Sequence, residues 1–264
     1  MKYVFRSSQS KYDNARRSYK DCEPRKKVAF LKTHKCASTS IQNILLRFGR
    51  KNNLNFVLPF KGNNVGTQVP FRRDMIKGTL WELAGLNYDM FLVHTRWNSQ
   101  QISKILNDQG DVLYVSILRD PVDLFRSWWD YLILDKRYNK TLEEYALSVK
   151  REEMLLKNGK IPFGFNQMLY DFGMDSRYMH DRAEVERKIQ DIDETFDIVL
   201  LADKEFFDDS IILLKDALCW EYRDMINFQL NSKKVELKSN VSLIARKALN
   251  GKVFYTFHSN FFSP

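Results

Sequence analysis

The sequence has few of the residues that build disulfide scaffolds or metal sites. Its 264 residues include three cysteines, Cys22, Cys36 and Cys219, and four histidines. Neither an HExxH pattern nor paired CxxC motifs occur, so we expect no metal cofactor. Three cysteines are too few for a disulfide framework, but one bridge between Cys22 and Cys219 would suit an oxidising compartment. Three unpaired thiols are the alternative.

Long apolar runs are also missing. No segment reaches the ~20 apolar residues of a membrane span, and the first residues, MKYVFRSSQS, lack the apolar core of a signal peptide. Residues 1–27 are polar and charged, which predicts a stem or flexible lead-in. The remainder, 28–264, is long enough to bury the core of one α/β domain.

Acidic residues are outnumbered by basic ones, which gives a net charge of +9 at pH 7. This charge indicates an anionic partner such as a nucleotide, a sulfated or sialylated glycan, a membrane surface or nucleic acid. The basic residues are scattered, apart from short clusters at 16–17 and 25–27. Nucleic-acid binding therefore has little support beyond net charge, and we expect no nucleic-acid partner.

The unit around which the chain is organised is a strand, a loop and a helix. Val28–Leu31 is a short apolar run typical of a buried parallel strand. Apolar residues then recur at helical spacing: Ile41, Ile44, Leu45 and Phe48. We expect Thr39 or Ser40 to cap this helix and Gly49 to end it.

The loop between this strand and helix, residues 32–40, has the chemistry of an anion site. Backbone N–H groups at a helix start lack internal partners, and the helix dipole favours negative charge there. Side chains add cationic and hydroxyl donors: Lys32, Lys35, Thr33, Ser38, Thr39 and Ser40. The GxxxxGK[ST] pattern of nucleoside-triphosphate loops is missing, which indicates a different phosphate ligand. A solvated basic connection is the alternative.

Two later apolar runs end in residues that can face the same ligand. Met90–Val93 predicts a strand followed by His94, and Val112–Leu118 predicts a strand followed by Arg119. In open parallel sheets, ligands bind beyond the carboxyl ends of the strands. We therefore expect His94 to face the ligand, with a histidine satisfied at a strand end as the alternative. For Arg119 the alternative is a salt bridge at the strand end.

The remaining segments complete an α/β pattern. Asp120 and Pro121 predict the cap and first residue of a helix that ends near Asp135 and carries Ser127. Another strand is expected at 196–201, followed by a helix at 206–220. Residues 52–78 are rich in turn formers and predict an irregular connection, whereas 139–195 are mainly helical with a break at 161–165.

Three stretches resemble one protein family, the galactose 3-O-sulfotransferases. FLKTHKCASTSIQNILLRF is similar to that family's 5′-phosphosulfate-binding loop and helix, FLKTHKTASST followed by NILFRF. SILRDPVDLFRSWWDYL resembles its 3′-phosphate-binding motif, ILRDP followed by LFES. The stretch FDIVLLADKEFFDDSIILLKDALCWE is similar to HLVLLQEYFDESLVLLKDLLCWE of the family. The resemblance implies a P-loop NTPase-like sulfotransferase fold, with a central parallel sheet flanked by helices.

The resemblance also implies a reaction and a set of site residues. The donor would be 3′-phosphoadenosine 5′-phosphosulfate, and the acceptor would be a galactose-terminated glycolipid or glycan. The 5′-phosphosulfate of the donor would be held by loop residues: Lys32, Thr33, Lys35, Ala37, Ser38, Thr39 and Ser40. Arg119 and Ser127 would hold the 3′-phosphate, which suits the planar fork of arginine and a serine hydroxyl.

Catalytic roles follow from the same resemblance. His94 is the expected base for the acceptor hydroxyl, and Lys35 would stabilise charge on the bridging oxygen. His34 is a second candidate base, although its place between two lysines favours contact with the sulfonate. Cys36 stands where the family has threonine and is expected to be a tolerated substitution. The segment GFNQMLYDFG resembles a region of the same family, and this resemblance suggests Asn166 and Gln167 as ligand contacts.

Family members are Golgi proteins held in the membrane by an N-terminal anchor, with the enzyme domain in the lumen. We therefore expect a luminal Golgi protein and a chain that is a fragment, shortened at its C-terminal end and without the anchor. Two sequons, Asn139-Lys140-Thr141 and Asn240-Val241-Ser242, agree with a luminal location. The alternatives are a uronosyl 2-O-sulfotransferase-like enzyme acting on a glycosaminoglycan and a catalytically silent protein that binds nucleotides or anionic glycans.

Overall fold

A computed structural model describes residues 22–76, 85–148, 166–227 and 241–253. At its centre, five parallel strands form one sheet in the order β2-β3-β1-β4-β5. The strands are β1 (Val28–Leu31), β2 (Phe56–Val57), β3 (Met90–Phe91), β4 (Leu113–Leu118) and β5 (Ile198–Leu201). The expected α/β fold with a central parallel sheet is therefore confirmed.

Helices flank this sheet along the described parts of the chain. They are α1 (Ser38–Lys51), α2 (Ser99–Ile105), α3 (Pro121–Leu132), α4 (Leu134–Tyr138), α5 (Leu142–Ser148), α6 (Gln167–Asp171), α7 (Arg182–Thr195), α8 (Phe207–Leu218) and α9 (Leu243–Val253). Short 3₁₀ turns lie at Arg73–Ile76, Ser176–Tyr178 and Tyr222–Met225. In the parts of the chain that the structure describes, no helix is long and apolar enough to cross a bilayer.

The central strands are apolar along their whole length because both faces of the sheet are covered. All four residues of β1 are fully buried, and β1 pairs with β3 on one side and β4 on the other. The register places Leu31 beside Ser116 and, one strand further, Leu118 beside Leu201. The carboxyl ends of these strands therefore open onto one edge of the sheet, which positions the loops that follow them.

Both expected boundaries of α1 are wrong. The helix begins at Ser38 after Ala37, which adopts a left-handed conformation with φ of 53° and gives no side-chain cap. The helix also continues through Gly49 to Lys51. A Cβ at Gly49 would collide with the ring of Phe56, so this glycine permits close packing of α1 on β2 and does not end the helix.

The capping prediction for α3 is confirmed, but its expected end near Asp135 is wrong. The Asp120 carboxylate accepts a 3.0 Å hydrogen bond from the backbone N–H of Asp123, and Pro121 is the first helical residue. The helix ends at Leu132 because Ile133 turns left-handed, with φ of 52°, and the separate helix α4 follows. The 161–165 break lies outside the described residues.

A disulfide joins Cys22 to Cys219 across 197 residues of sequence, and Cys36 is a buried free thiol. Cys219 directly follows α8 as its C-cap, and Arg25, three residues after Cys22, donates its backbone N–H to the Leu218 carbonyl at 2.9 Å. Of the two options left open by the sequence, the structure therefore contains the bridge.

We expect reduction of this disulfide to lower the free energy of unfolding by about 2–4 kcal/mol, because the bridge restricts the number of conformations open to the unfolded chain. Chemical unfolding with and without reductant measures the change. A variant in which Cys22 and Cys219 are both serine serves as the control, since reductant has no bridge to break there. An unchanged midpoint for the reduced wild-type protein would contradict the expectation.

Candidate functional site

The loop after β1 lies between residues that follow the two neighbouring strands. His94, beyond β3, has its Nδ1 2.6 Å from the carbonyl oxygen of Lys32. Arg119, at the end of β4, donates from Nη1 to the carbonyl oxygen of Lys35 at 2.9 Å. Residues from three separate segments of the sequence are thus held within hydrogen-bonding distance of one loop at the carboxyl edge of the sheet.

Two hydroxyls of the loop are used to hold its shape. Thr33 Oγ1 donates to the Ile117 carbonyl at 2.5 Å, and Ser38 Oγ donates to the Thr33 carbonyl at 2.6 Å. Both residues are buried, whereas Thr39 and Ser40 are half-buried in the first turn of α1. The side chains of Thr39 and Ser40, with the N–H groups of this turn, are therefore the better placed donors for an anion.

The loop contains left-handed backbone at Lys35, with φ of 60°, and at Ala37, with φ of 53°. Residues other than glycine seldom adopt this conformation without support. The Arg119 bond to the Lys35 carbonyl and the Ser38 bond to the Thr33 carbonyl supply contacts on either side of these positions. A loop without glycine thus makes the tight turn that glycines make in nucleoside-triphosphate loops.

Lys32 is a buried cation in this loop. Lys32 is only 3% exposed, and this burial lowers the pKa of its ammonium group to about 8. The ion pairs of the described residues include none made by Lys32. A buried ammonium group without a counterion is costly, and an arriving anion would remove that cost. Lys32 therefore favours binding of an anion at the loop.

Lys35 points toward the aromatic residues of α3. Its Nζ lies 4.0 Å from the ring centroid of Tyr131 and 6.0 Å from that of Trp128. Tyr131 is 62% exposed, whereas Trp128 is buried and has its ring 5.7 Å from that of His34. The cation is thus held at the surface edge of the loop by cation–π contacts.

His94 is held in one tautomer. A carbonyl oxygen only accepts hydrogen bonds, so the Nδ1 that faces the Lys32 carbonyl carries the proton and Nε2 keeps its lone pair. Burial, and then the charges of His34 and Lys32, lower the pKa of His94 to about 2. The ring is therefore neutral at physiological pH, with Nε2 available to accept a proton.

His34 stacks on His94 but has the opposite electrostatics. The two ring centroids are 4.2 Å apart and the planes differ by 16°. Burial alone would lower the pKa of His34, but the charge and hydrogen bond of Asp171 outweigh it and raise that pKa above its ordinary value. His34 Nδ1 lies 2.9 Å from Asp171 Oδ1, and its backbone N–H donates to Oδ2 at 2.8 Å.

Asp171 is a site residue that the sequence analysis missed. It ends helix α6, far in sequence from any strand end, and an acidic residue is not expected among the lysines of an anion loop. The one signal was its place within GFNQMLYDFG, where Asn166 and Gln167 were predicted as ligand contacts. Those two side chains are buried: Asn166 Nδ2 donates to the Met179 carbonyl at 3.1 Å, and Gln167 Nε2 lies 3.4 Å from Asp171 Oδ1.

Two further predicted residues differ in how the structure places them. Ser127 is half-buried in α3, and its predicted contact with a 3′-phosphate stays a prediction. Cys36 is fully buried, and burial raises the pKa of its thiol to about 12. The thiol is therefore protonated at physiological pH, as expected for a substitution without a nucleophilic role. The described residues include no cluster of His, Cys, Asp and Glu that could hold a metal ion.

The comparisons with known proteins point to one family. A family model described as galactose-3-O-sulfotransferase matches residues 5–261. The chain is 30% identical over 224 residues to galactosylceramide sulfotransferase of Homo sapiens, with 81% of this chain and 50% of that protein covered.

Two relatives from Mus musculus give similar values. Galactose-3-O-sulfotransferase 2 is 30% identical over 250 residues, which cover 89% of this chain and 62% of the relative. Galactose-3-O-sulfotransferase 3 is 30% identical over 215 residues, which cover 78% of this chain and 48% of the relative. The chain thus spans about half the length of the curated relatives it matches. Because the family model covers nearly all of the sequence, the chain belongs to the galactose-3-O-sulfotransferase family.

Proposed function

We propose that the protein transfers the sulfuryl group of 3′-phosphoadenosine 5′-phosphosulfate to a carbohydrate hydroxyl, the 3-hydroxyl of a terminal galactose on a glycolipid or glycan. The observation that carries the proposal is the grouping at one sheet edge of a buried lysine, a neutral histidine in a fixed tautomer and an arginine. Family membership supplies the class of donor and acceptor.

In this proposal the donor lies along the loop and the start of α1. Lys32, Thr39, Ser40 and the backbone N–H groups near Ala37 bind the 5′-phosphosulfate, while Thr33 and Ser38 keep the loop in shape. Arg119 and Ser127 bind the 3′-phosphate. Sulfuryl transfer, like phosphoryl transfer, then depends mainly on in-line positioning and on stabilising charge.

The chemical step needs one proton acceptor and one cation. The acceptor oxygen forms a bond to sulfur, the hydroxyl proton passes to Nε2 of His94, and the bond between sulfur and the bridging oxygen breaks. The electron pair of that bond stays on the 5′-phosphate, where Lys35 compensates the growing charge. No metal is required in this scheme, since lysines supply the positive charge.

The low pKa of His94 belongs to the protein without donor. Burial is its largest cause, and the positive charges of His34 and Lys32 are the next two. A bound phosphosulfate brings negative charge to the same cations, so it offsets them and raises the pKa of His94 toward the usual range. His94 thus becomes a better proton acceptor when the donor is present.

The location is proposed on the same footing. The Cys22–Cys219 disulfide favours an oxidising compartment, and the Golgi lumen is the compartment that we propose.

An acceptor comparison tests the function. With labelled donor, we expect sulfate incorporation into a β-galactoside-terminated lipid or glycan and none into the matched acceptor whose galactose 3-hydroxyl is methylated. Equal labelling of the methylated acceptor would overturn the assignment of the galactose 3-hydroxyl as the site of sulfation. Labelling confined to a uronate-containing glycosaminoglycan would support a uronosyl 2-O-sulfotransferase-like enzyme instead. A folded protein that binds adenosine 3′,5′-bisphosphate but labels no acceptor would overturn the catalytic proposal in favour of a silent binding protein.

A further inference from the structure

The proposed function gives the proton to His94, and the stacked histidines raise the question of what keeps His34 from taking it instead. His34 is part of the anion loop and His94 lies beside it, with 4.2 Å between the ring centroids. Two imidazolium ions at that separation would repel each other strongly, so one ring is charged at most. We propose that Asp171 is a positioning residue that keeps His34 protonated as a donor to the sulfonate and thereby leaves His94 as the proton acceptor. This inference rests on the proposed function.

The Asp171 carboxylate is directed at His34 by two bonds. Oδ2 accepts the His34 backbone N–H at 2.8 Å, and Oδ1 lies 2.9 Å from His34 Nδ1. Because both bonds reach one residue, the carboxylate fixes the loop backbone and the ring together. Nδ1 is thereby committed to Asp171, and Nε2 is the ring nitrogen that remains for a ligand.

Asp171 is itself held rigidly. It is 1% exposed, and its backbone carbonyl accepts the Trp97 N–H at 2.8 Å. Gly173 follows with φ of 88°, and a Cβ there would collide with the Trp97 carbonyl, so the chain after α6 packs directly against the segment beyond β3. The same segment carries His94, so both stacked rings are positioned from one packed unit.

The charges around His34 show why the carboxylate decides its protonation. Lys32 and Lys35, on either side in the loop, both lower the pKa of His34, as does burial. His94, packed against its face, is neutral and carries its Nδ1 proton toward the Lys32 carbonyl. Among the residues that the structure describes, Asp171 is the acidic group that raises the pKa of His34, and its charge and hydrogen bond reverse the balance.

The chemistry assigns one proton to each ring. As the acceptor oxygen bonds to sulfur, its hydroxyl proton moves to His94 Nε2, and the electron pair of the broken bond stays on the 5′-phosphate. His34 keeps its own proton throughout and donates from Nε2–H to a non-reacting sulfuryl oxygen, where it steadies charge in the transition state. Nothing is oxidised or reduced in this step.

Asp171→Asn is the test, read as a pH profile of kcat/KM. Without the carboxylate, every remaining influence lowers the pKa of His34, so the alkaline limb of the profile should move below the ordinary histidine range of about 6.5. The wild-type limb should lie above that range, because the charge and hydrogen bond of Asp171 raise the pKa of His34. At neutral pH we expect roughly a 100-fold loss of kcat, the effect of one lost charged donor. Acidification should shrink that loss.

Asp175→Asn is the matched control, because Asp175 lies four residues further along the chain, has a side chain that is 41% exposed and pairs with Arg177. This variant should keep the wild-type profile. A loss of kcat that is equal at every pH would reduce Asp171 to a structural role and overturn the inference. If Asp171→Asn does not fold, ring NMR titration of the wild type decides: one histidine signal, absent from His34→Gln, must titrate above the ordinary range. No such signal would overturn the inference. Wild-type activity in the same assay separates this failure from failure of the proposed function.

Discussion

Replacing His94 with alanine or glutamine is expected to lower kcat by roughly 10²- to 10⁴-fold, the usual contribution of a positioned general base. His94 Nε2 carries the free lone pair because Nδ1 donates to the Lys32 carbonyl. Glutamine can still donate a hydrogen bond to that carbonyl, but its side chain cannot take a proton at neutral pH. The two variants should therefore be similarly inactive. Turnover is measured with labelled donor and a β-galactoside acceptor.

Donor affinity separates a chemical role of His94 from a structural one. We expect both variants to bind adenosine 3′,5′-bisphosphate as the wild type does, since the proposed donor contacts come from the loop and Arg119. His180→Ala, a change at an exposed histidine, is the control and should keep full activity. Wild-type turnover in His94→Gln would remove His94 from the mechanism. Loss of bisphosphate binding in both variants would instead give His94 a structural role.

Arg119→Ala is expected to weaken binding of adenosine 3′,5′-bisphosphate by about 10- to 100-fold, because charged hydrogen bonds to a phosphate are worth about 1.5–3 kcal/mol. The comparison ligand is adenosine 5′-monophosphate, which lacks the 3′-phosphate. Arg119 also holds the Lys35 carbonyl at 2.9 Å, so both ligands can lose some affinity. The preference for the bisphosphate over the monophosphate should nevertheless collapse. Titration calorimetry with both nucleotides measures this preference.

Two variants sharpen the Arg119 experiment. Arg119→Lys retains the charge without the planar fork, so we expect an intermediate preference for the bisphosphate. Arg126→Ala removes another arginine, in the middle of α3, that pairs with Asp123 at 3.3 Å, and should leave the preference unchanged. An undiminished preference in Arg119→Ala would mean that another group binds the 3′-phosphate.

Much of the fold followed from sequence because its core strands are short apolar runs. Val28–Leu31 and Ile198–Leu201 are apolar from end to end, and both lie in the sheet as expected. Phe56–Val57 escaped notice, since a two-residue strand inside a segment rich in turn formers has no periodicity to detect. The end of α1 was wrongly predicted at Gly49, because a glycine that permits close packing and a glycine that ends a helix look alike in sequence.

The candidate site was predictable where strand ends dictate position. His94 and Arg119 both follow apolar strands, and the structure brings each to the loop after β1. Asp171 was not predictable, because it reaches His34 from a helix 137 residues away in sequence. The hydrogen bond from the Thr33 hydroxyl to the Ile117 carbonyl, which holds the loop, also depends on tertiary packing. Local sequence does not contain such long-range contacts.

The central claim is that the edge of the sheet binds a nucleotide with both 3′- and 5′-phosphate groups. Thermal unfolding of the purified chain with adenosine 3′,5′-bisphosphate, and with ATP as the control, tests it most directly. A ligand that binds only the folded state raises the midpoint temperature of unfolding when its concentration exceeds its dissociation constant. The account predicts a rise with the bisphosphate that ATP does not match. A folded protein with no shift, or with an equal shift from ATP, would contradict it.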